Sequence, residues 1–134
     1  MNLIPEPSQL HSREEAIRIA ARYPEGLKAG SFVRADTPFA SSAYTLENGR
    51  LVAGSENLRT QQIPALPETT YQIAAVDEDL GIVWIRQELG SGSAAGASST
   101  HVMWEAIKVY GGEIHAVETF TRISPADVPS GLKH

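Results

Sequence analysis

The chain has 134 residues, 11 Lys+Arg against 16 Asp+Glu for a formal net charge of −5, and no cysteine. A globular chain of this length buries roughly two thirds of its unfolded surface, enough for one core and not for a second domain. Absent cysteine excludes thiol nucleophiles, disulfides, iron–sulfur clusters and Cys-ligated zinc, and mild acidity without a Lys/Arg run argues against nucleic acid and anionic membranes as partners. The first residues, Met1-Asn2-Leu3-Ile4-Pro5, lack a basic segment and a long apolar run, so no secretory leader or membrane span is expected and a cytoplasmic protein is the default.

Residues 1–11 read as a Pro-marked tail. Ser12-Arg13-Glu14-Glu15 then reads as a capping box, with the Ser12 hydroxyl taking an orphan N–H and Glu15 reaching back. Ala16, Ile17, Ala20, Ala21 and Tyr23 recur at helical spacing, and Pro24 is expected to stop this first helix. A short second helix over 25–29 should end at Gly30. Asn48-Gly49 between two β-rich runs is a hairpin signal, because both residues tolerate the positive φ of a type I′ turn. Residues 54–62 suggest a short helix with Ser55 as its cap, closed by Pro64 and Pro67. Strand-like segments follow over 69–76, 80–89, 100–110 and 113–123, and 124–134 form a C-terminal tail. Helices first and a mostly antiparallel, curved sheet afterwards define an α+β class.

Between two of these strands, 90–99 form a low-complexity loop, a flexible connection or a lid over a pocket. Its Gly90-x-Gly92-x-x-Ala95 only superficially matches a dinucleotide fingerprint, since a strand follows where a helix N-terminus must receive the pyrophosphate. No nucleophile-elbow or phosphate-loop pattern occurs.

The last hairpin is the most informative segment. With Gly111-Gly112 as a two-residue turn and unbroken pairing, Val109 faces Ile114, Ile107 faces Ala116, Glu105 faces Glu118, Met103 faces Phe120 and His101 faces Arg122, all on one side of the sheet. The other side, with Trp104, Ala106 and Val117, reads as half solvated. Opposed Cβ atoms lie roughly 4.5–5.5 Å apart, so two ionised Glu would repel and one would hold its proton to higher pH. A protonated carboxyl with an ionised partner is what general acid/base catalysis requires. The alternatives are that a Glu is paired with Arg86 or Arg122 and purely structural, or that a bulge moves Glu118 to the outer side. His101 and Glu105, four apart on a strand, are about 13 Å apart and cannot share an ion, so no metal is expected.

At these residues the chain resembles a known family. Glu105-Ala106-Ile107-Lys108-Val109-Tyr110-Gly111-Gly112-Glu113-Ile114, followed by Ala116-Val117-Glu118, resembles the closing hairpin of NTF2-like (SnoaL-like) domains, with Ile107 in place of the usual Phe. Pro38-Phe39-Ala40, Glu47-Asn48-Gly49 and Val76-Asp77-Glu78 before Gly81-Ile82-Val83 extend the similarity over 12–123. The resemblance implies a cone in which a strongly bent sheet wraps around a helix and leaves an apolar pocket, usually in a homodimer formed through the outer sheet face. It also implies enzymes without cofactor or metal that act on apolar or aromatic molecules, beside members that only bind or dimerise. Fold alone does not choose among them.

Two functions follow as expectations. In the first, the protein is a cofactor-independent lyase that eliminates water or formaldehyde from a small aromatic, lignin-derived type of molecule. Glu105 and Glu118 would be the acid/base pair, His101 a second proton carrier, and Tyr44, Arg86 or Arg59 the partners of a developing oxyanion. Met103, Ile107, Phe120 and Trp84 would line the substrate site. In the second, Glu47, Glu105, Glu118 and Arg86 form a satisfied structural network, and the protein binds an apolar ligand or a copy of itself without chemistry.

Overall fold

The computed structural model describes residues 4–54, 57–61, 63, 65–89 and 99–125, the side chains at 89, 99–101 and 122–125 excepted. A 3-10 turn, Pro7–Gln9, opens the chain. Its last carbonyl accepts the Gly111 N–H at 2.9 Å, and the His11 Nε2 accepts the Gly112 N–H at 2.8 Å. Helix α1 (Arg13–Ala20) starts at Ser12, whose hydroxyl accepts the Glu15 N–H at 3.2 Å. The Glu15 carboxylate does not return to the cap; it pairs with Arg18, 2.9 Å from its Nε.

The first helix ends at Ala21, three residues before the proline expected to stop it, and α2 (Arg22–Ala29) carries Pro24 in its first turn. There a missing N–H forfeits no intrahelical bond. Gly30 closes α2 in the left-handed conformation, φ 75°, as read from the sequence. Between β-strands, the expected helix over 54–62 is replaced by turns among the described residues, with Leu58 driven into the core; its proposed cap, Ser55, lies outside them. The loop 90–98 and the tail 126–134 also lie outside the described residues.

Six strands form one curved sheet, β1 (Phe39–Glu47), β2 (Arg50–Ala53), β3 (Thr70–Asp77), β4 (Ile82–Leu89), β5 (Ser99–Tyr110) and β6 (Glu113–Pro125). Their order is β2-β1-β6-β5-β4-β3, and only β1 and β6 run parallel. Register shifts interrupt four of the five strand pairings, and each bends the sheet locally. The helices pack on the concave face: Ala16, Ile19, Ala20 and Tyr23 meet Val83, Ile85, Ile107, Val109, Ile114 and Val117 in one core.

The closing hairpin corrects the expected register. Gly111 and Gly112 have φ of 59° and 80°, and the first pairs, Tyr110 with Glu113 and Val109 with Ile114, stand as read. A bulge at His115 then shifts β6 by one residue, so Lys108 meets Ala116, Ala106 meets Glu118 and Glu105 meets Thr119. A one-residue slip sends every later side chain to the opposite face. The bulged His115 ring stacks on Tyr110 with centroids 3.5 Å apart, its Nε2 3.0 Å from the Tyr110 carbonyl oxygen.

Candidate active site on the concave face

The pairings set the side chains in rows across the sheet. On the concave face one row runs Glu47–Thr119–Glu105–Ile85–Ile73, and the next runs Thr121–Met103–Gln87–Tyr71. Alternation along β4 explains Gln87: Val83, Ile85 and Gln87 point inward, and all three are fully buried. Glu105 lies among them, also fully buried. The Gln87 Nε2 donates to Glu105 Oε1 at 2.5 Å, while Glu105 Oε2 and Gln87 Oε1 are buried without a hydrogen-bond partner among the described residues. Burial pushes the Glu105 carboxyl up to about 8, opposed only by the Gln87 hydrogen bond. It is therefore largely protonated at neutral pH and able to give or take a proton there.

Next to this carboxyl, between α2 and the strands, is a cavity of about 280 Å³. Tyr23, Leu27, Phe32, Ile63 and Met103 supply its apolar wall, and Thr45, Glu47, Gln61 and Thr119 its polar atoms. Glu105 is not part of the wall; its cross-strand partner Thr119 and its strand neighbour Met103 are. Tyr23 stacks on Phe32 at 5.2 Å, and Phe39 meets both rings edge-on. Burial raises the Tyr23 phenol above its ordinary value, and the charges of Glu105 and then Glu47 add to the rise. This phenol stays protonated and can only donate to an ionised or carbonyl oxygen. Glu47 is held over the cavity by the β1–β2 turn. Asn48, φ 50°, donates its N–H to the Thr119 carbonyl at 2.8 Å and accepts the Thr121 N–H at 3.4 Å on its side-chain oxygen.

The residues expected to form the site are not all brought together. Glu105 and Met103 are on the concave face as expected, and Ile107 is there too but inside the core, away from the cavity wall. Glu118, paired with Ala106, is on the convex face because of the His115 bulge, which removes it from Glu105. Phe120 is there for the same reason, paired with Trp104 and 39% exposed. Tyr44 aligns with Ala116, and Trp84 with Ala106, in convex rows. Arg86 pairs with Trp104, and its guanidinium takes Glu88 at 3.0 Å rather than either expected glutamate. Arg59, half exposed, lies 3.8 Å from Asp36 beside a separate groove with Leu58 and Glu113. The backbone of His101 pairs with Leu89 and Ile123 instead of Arg122, and its side chain lies outside the described residues. Tyr23, Gln87 and Thr119 were missed, and Glu47 was read only as a member of a structural network. Alternation along β4 would have found Gln87, whereas Tyr23 required knowing which helix covers which row.

A strongly curved six-stranded sheet closed over helices, with a cavity on its concave face, defines the NTF2-like α+β cone. The chain belongs to the family described as "Domain of unknown function (DUF8021)", which matches residues 9–121. A search of curated proteins found no match. Among solved structures, the fold is similar to an NTF-2 like protein of unknown function from Burkholderia xenovorans LB400, with 11% identity over 90% of this chain and 91% of that one and a TM-score of 0.59. It is also similar to a putative ketosteroid isomerase from Kribbella flavida DSM 17836, with 14% identity, 90% and 87% coverage and a TM-score of 0.56. A third is an LEH-like epoxide hydrolase of M. tuberculosis, with 15% identity, 81% and 84% coverage and a TM-score of 0.52. At such identities the likeness concerns the fold. No helix among the described residues is long and apolar enough to cross a membrane.

Proposed function

We propose that the protein is a cofactor-independent acid/base enzyme, a lyase that removes water or formaldehyde from a small, largely apolar aromatic alcohol, with Glu105 as its proton carrier. The observation that carries this reading is the buried Glu105 Oε2, unpartnered and on a carboxyl that titrates near neutrality. Leaving such a group unsatisfied costs about 1–3 kcal/mol, a cost that a proton-transfer role explains and a packing role does not. One carboxyl is sufficient for either elimination. Loss of water takes one proton from carbon and gives one to the departing hydroxyl; loss of formaldehyde takes one from the hydroxymethyl oxygen and gives one to the carbon left behind. The ionised form of Glu105, the minor one at neutral pH, receives the first and delivers the second, so the reaction balances without Glu118. Tyr23, protonated at the cavity wall, donates to the substrate oxygen. Assembly as a homodimer through the convex face and a cytoplasmic location belong to the same proposal. The dimer is supported by Trp104 and Phe120, which pair on that face while 41% and 39% exposed.

One observation favours a second reading, a non-catalytic binding module: Glu105 has no exposed surface and is not part of the cavity wall. Deuterium exchange separates the two. Aryl 1,2-diols and a β-aryl ether diol are incubated with the protein in D₂O and followed by ¹H NMR. The enzyme reading predicts loss of a substrate C–H signal or release of product, reduced at least about 100-fold in Glu105→Gln. Saturable binding with neither exchange nor product establishes the binding module instead.

A further inference from the structure

Among the described residues, the wall of the concave cavity carries a single charged side chain, Glu47, and no lysine or arginine. Its deepest polar neighbour, Glu105, is another carboxyl. Glu47 makes no ion pair among the described residues. Arg50, its cross-strand partner on β2, is exposed, does not line the cavity and lies beyond ion-pair distance of it. The Asn48 bonds to β6 fix the backbone next to Glu47, whose side chain lines the cavity. Behind it, Tyr23 and Phe32 present stacked aromatic rings to the same space. Aromatic faces carry partial negative charge and attract cations. Carboxylate and rings thus favour a positive ligand and penalise an anionic one, which would meet no cation in the wall.

We infer that the cavity selects its ligand by charge and takes a small aromatic alcohol that also carries an amine, its ammonium on Glu47 and its ring among Tyr23, Phe32, Ile63 and Met103. This names the substrate class of the proposed site and rests on reading the cavity as the ligand site. The volume, about 280 Å³, is at the small end for ligand pockets and suits one ring with a short arm. Lysine or arginine side chains presented on a protein surface are a poorer fit, because the apolar depth would be left unfilled.

Three probes of matched size and different charge test it: 2-phenylethylamine, 2-phenylethanol and phenylacetate, titrated into the full chain at pH 7 by calorimetry or ligand-observed NMR. The amine should bind about three- to fivefold tighter than the alcohol, and phenylacetate weaker than the alcohol by a similar factor, the range of a partly exposed ion pair. In Glu47→Gln, at an exposed turn position where folding is not at risk, the ratio of amine to alcohol affinity should fall to about one, and raised salt should narrow it in the wild type. An amine that binds no tighter than the alcohol, or a preference that survives Glu47→Gln, overturns the charge selection while the cavity stands as the ligand site. If none of the three binds, the cavity reading itself fails.

Discussion

Glu105 is where burial and chemistry conflict most sharply. The folded state holds its proton up to about 8, whereas an unfolded chain releases it in the usual carboxylate range. Between those limits the folded protein binds more protons than the unfolded one, so stability falls as pH rises and levels off above the folded value. The slope from this group is at most about 1.4 kcal/mol per pH unit. Glu105→Gln keeps the shape and an acceptor for Gln87 while removing the titration. Urea midpoints of the variant are therefore expected to be nearly flat from pH 5 to 8 where those of the wild type decline, and the variant should be the more stable protein at pH 8. Equal slopes in the two would locate the pH dependence elsewhere. Glu105 was legible in the sequence because a carboxyl among Ile107, Val109 and Met103 on an alternating strand has to be inside. Tyr23 was not, since its helical spacing says only that it faces the core, and only packing against the strands brings it to the cavity and into the field of Glu105.

At the scale of elements, the hairpins show what local chemistry can and cannot specify. Both two-residue turns, Asn48-Gly49 and Gly111-Gly112, formed where their tolerance of positive φ allows. The bulge two pairs beyond the second turn was open in the sequence only as an alternative. It comes with the His115 stack against Tyr110 and with a bond from outside the hairpin, in which the carbonyl of Pro38, just before β1, accepts the Ile114 N–H at 2.7 Å, and the second is not visible from the hairpin alone. Its consequence was large, because it carried Glu118 and Phe120 to the convex face. There the expected half-solvated surface also proves partly closed: Ala106, Ala116 and Lys108 are buried, and the Lys108 ammonium donates to the Leu80 carbonyl. Gly81, in the adjoining β3–β4 turn, combines φ 68° with a backbone approach in which a Cβ would lie 2.5 Å from the Val109 carbonyl oxygen. Gly112, φ 80°, has open space around it. Gly112→Ala should cost about 1–2 kcal/mol from the left-handed backbone alone, and Gly81→Ala measurably more because the strand must also move. Equal losses in denaturant unfolding would contradict the close approach.

In the whole molecule, the curved sheet separates two surfaces of different composition. The α+β class and the helix-covered concave face were readable from the order of elements and the closing-hairpin motif, whereas the distribution of functional side chains between the faces depended on bulges. The concave side holds the carboxyl, the phenol and the cavity. The convex side holds Trp84, Trp104 and Phe120, which lie on the opposite face of the sheet from Glu105 and outside the cavity wall, where the proposed second copy would meet them. Trp104→Glu should convert a dimer to a monomer in sedimentation velocity without altering the concave site; a wild-type chain that stays monomeric at high concentration would remove the dimer. The central claim concerns the other face, and it is tested most directly by titrating the Glu105 side-chain carboxyl by ¹³C NMR, with Glu105→Gln assigning the resonance. A midpoint near pH 8 that moves when the cavity is filled is expected. A midpoint in the ordinary carboxylate range, unmoved by any cavity ligand, would contradict the claim.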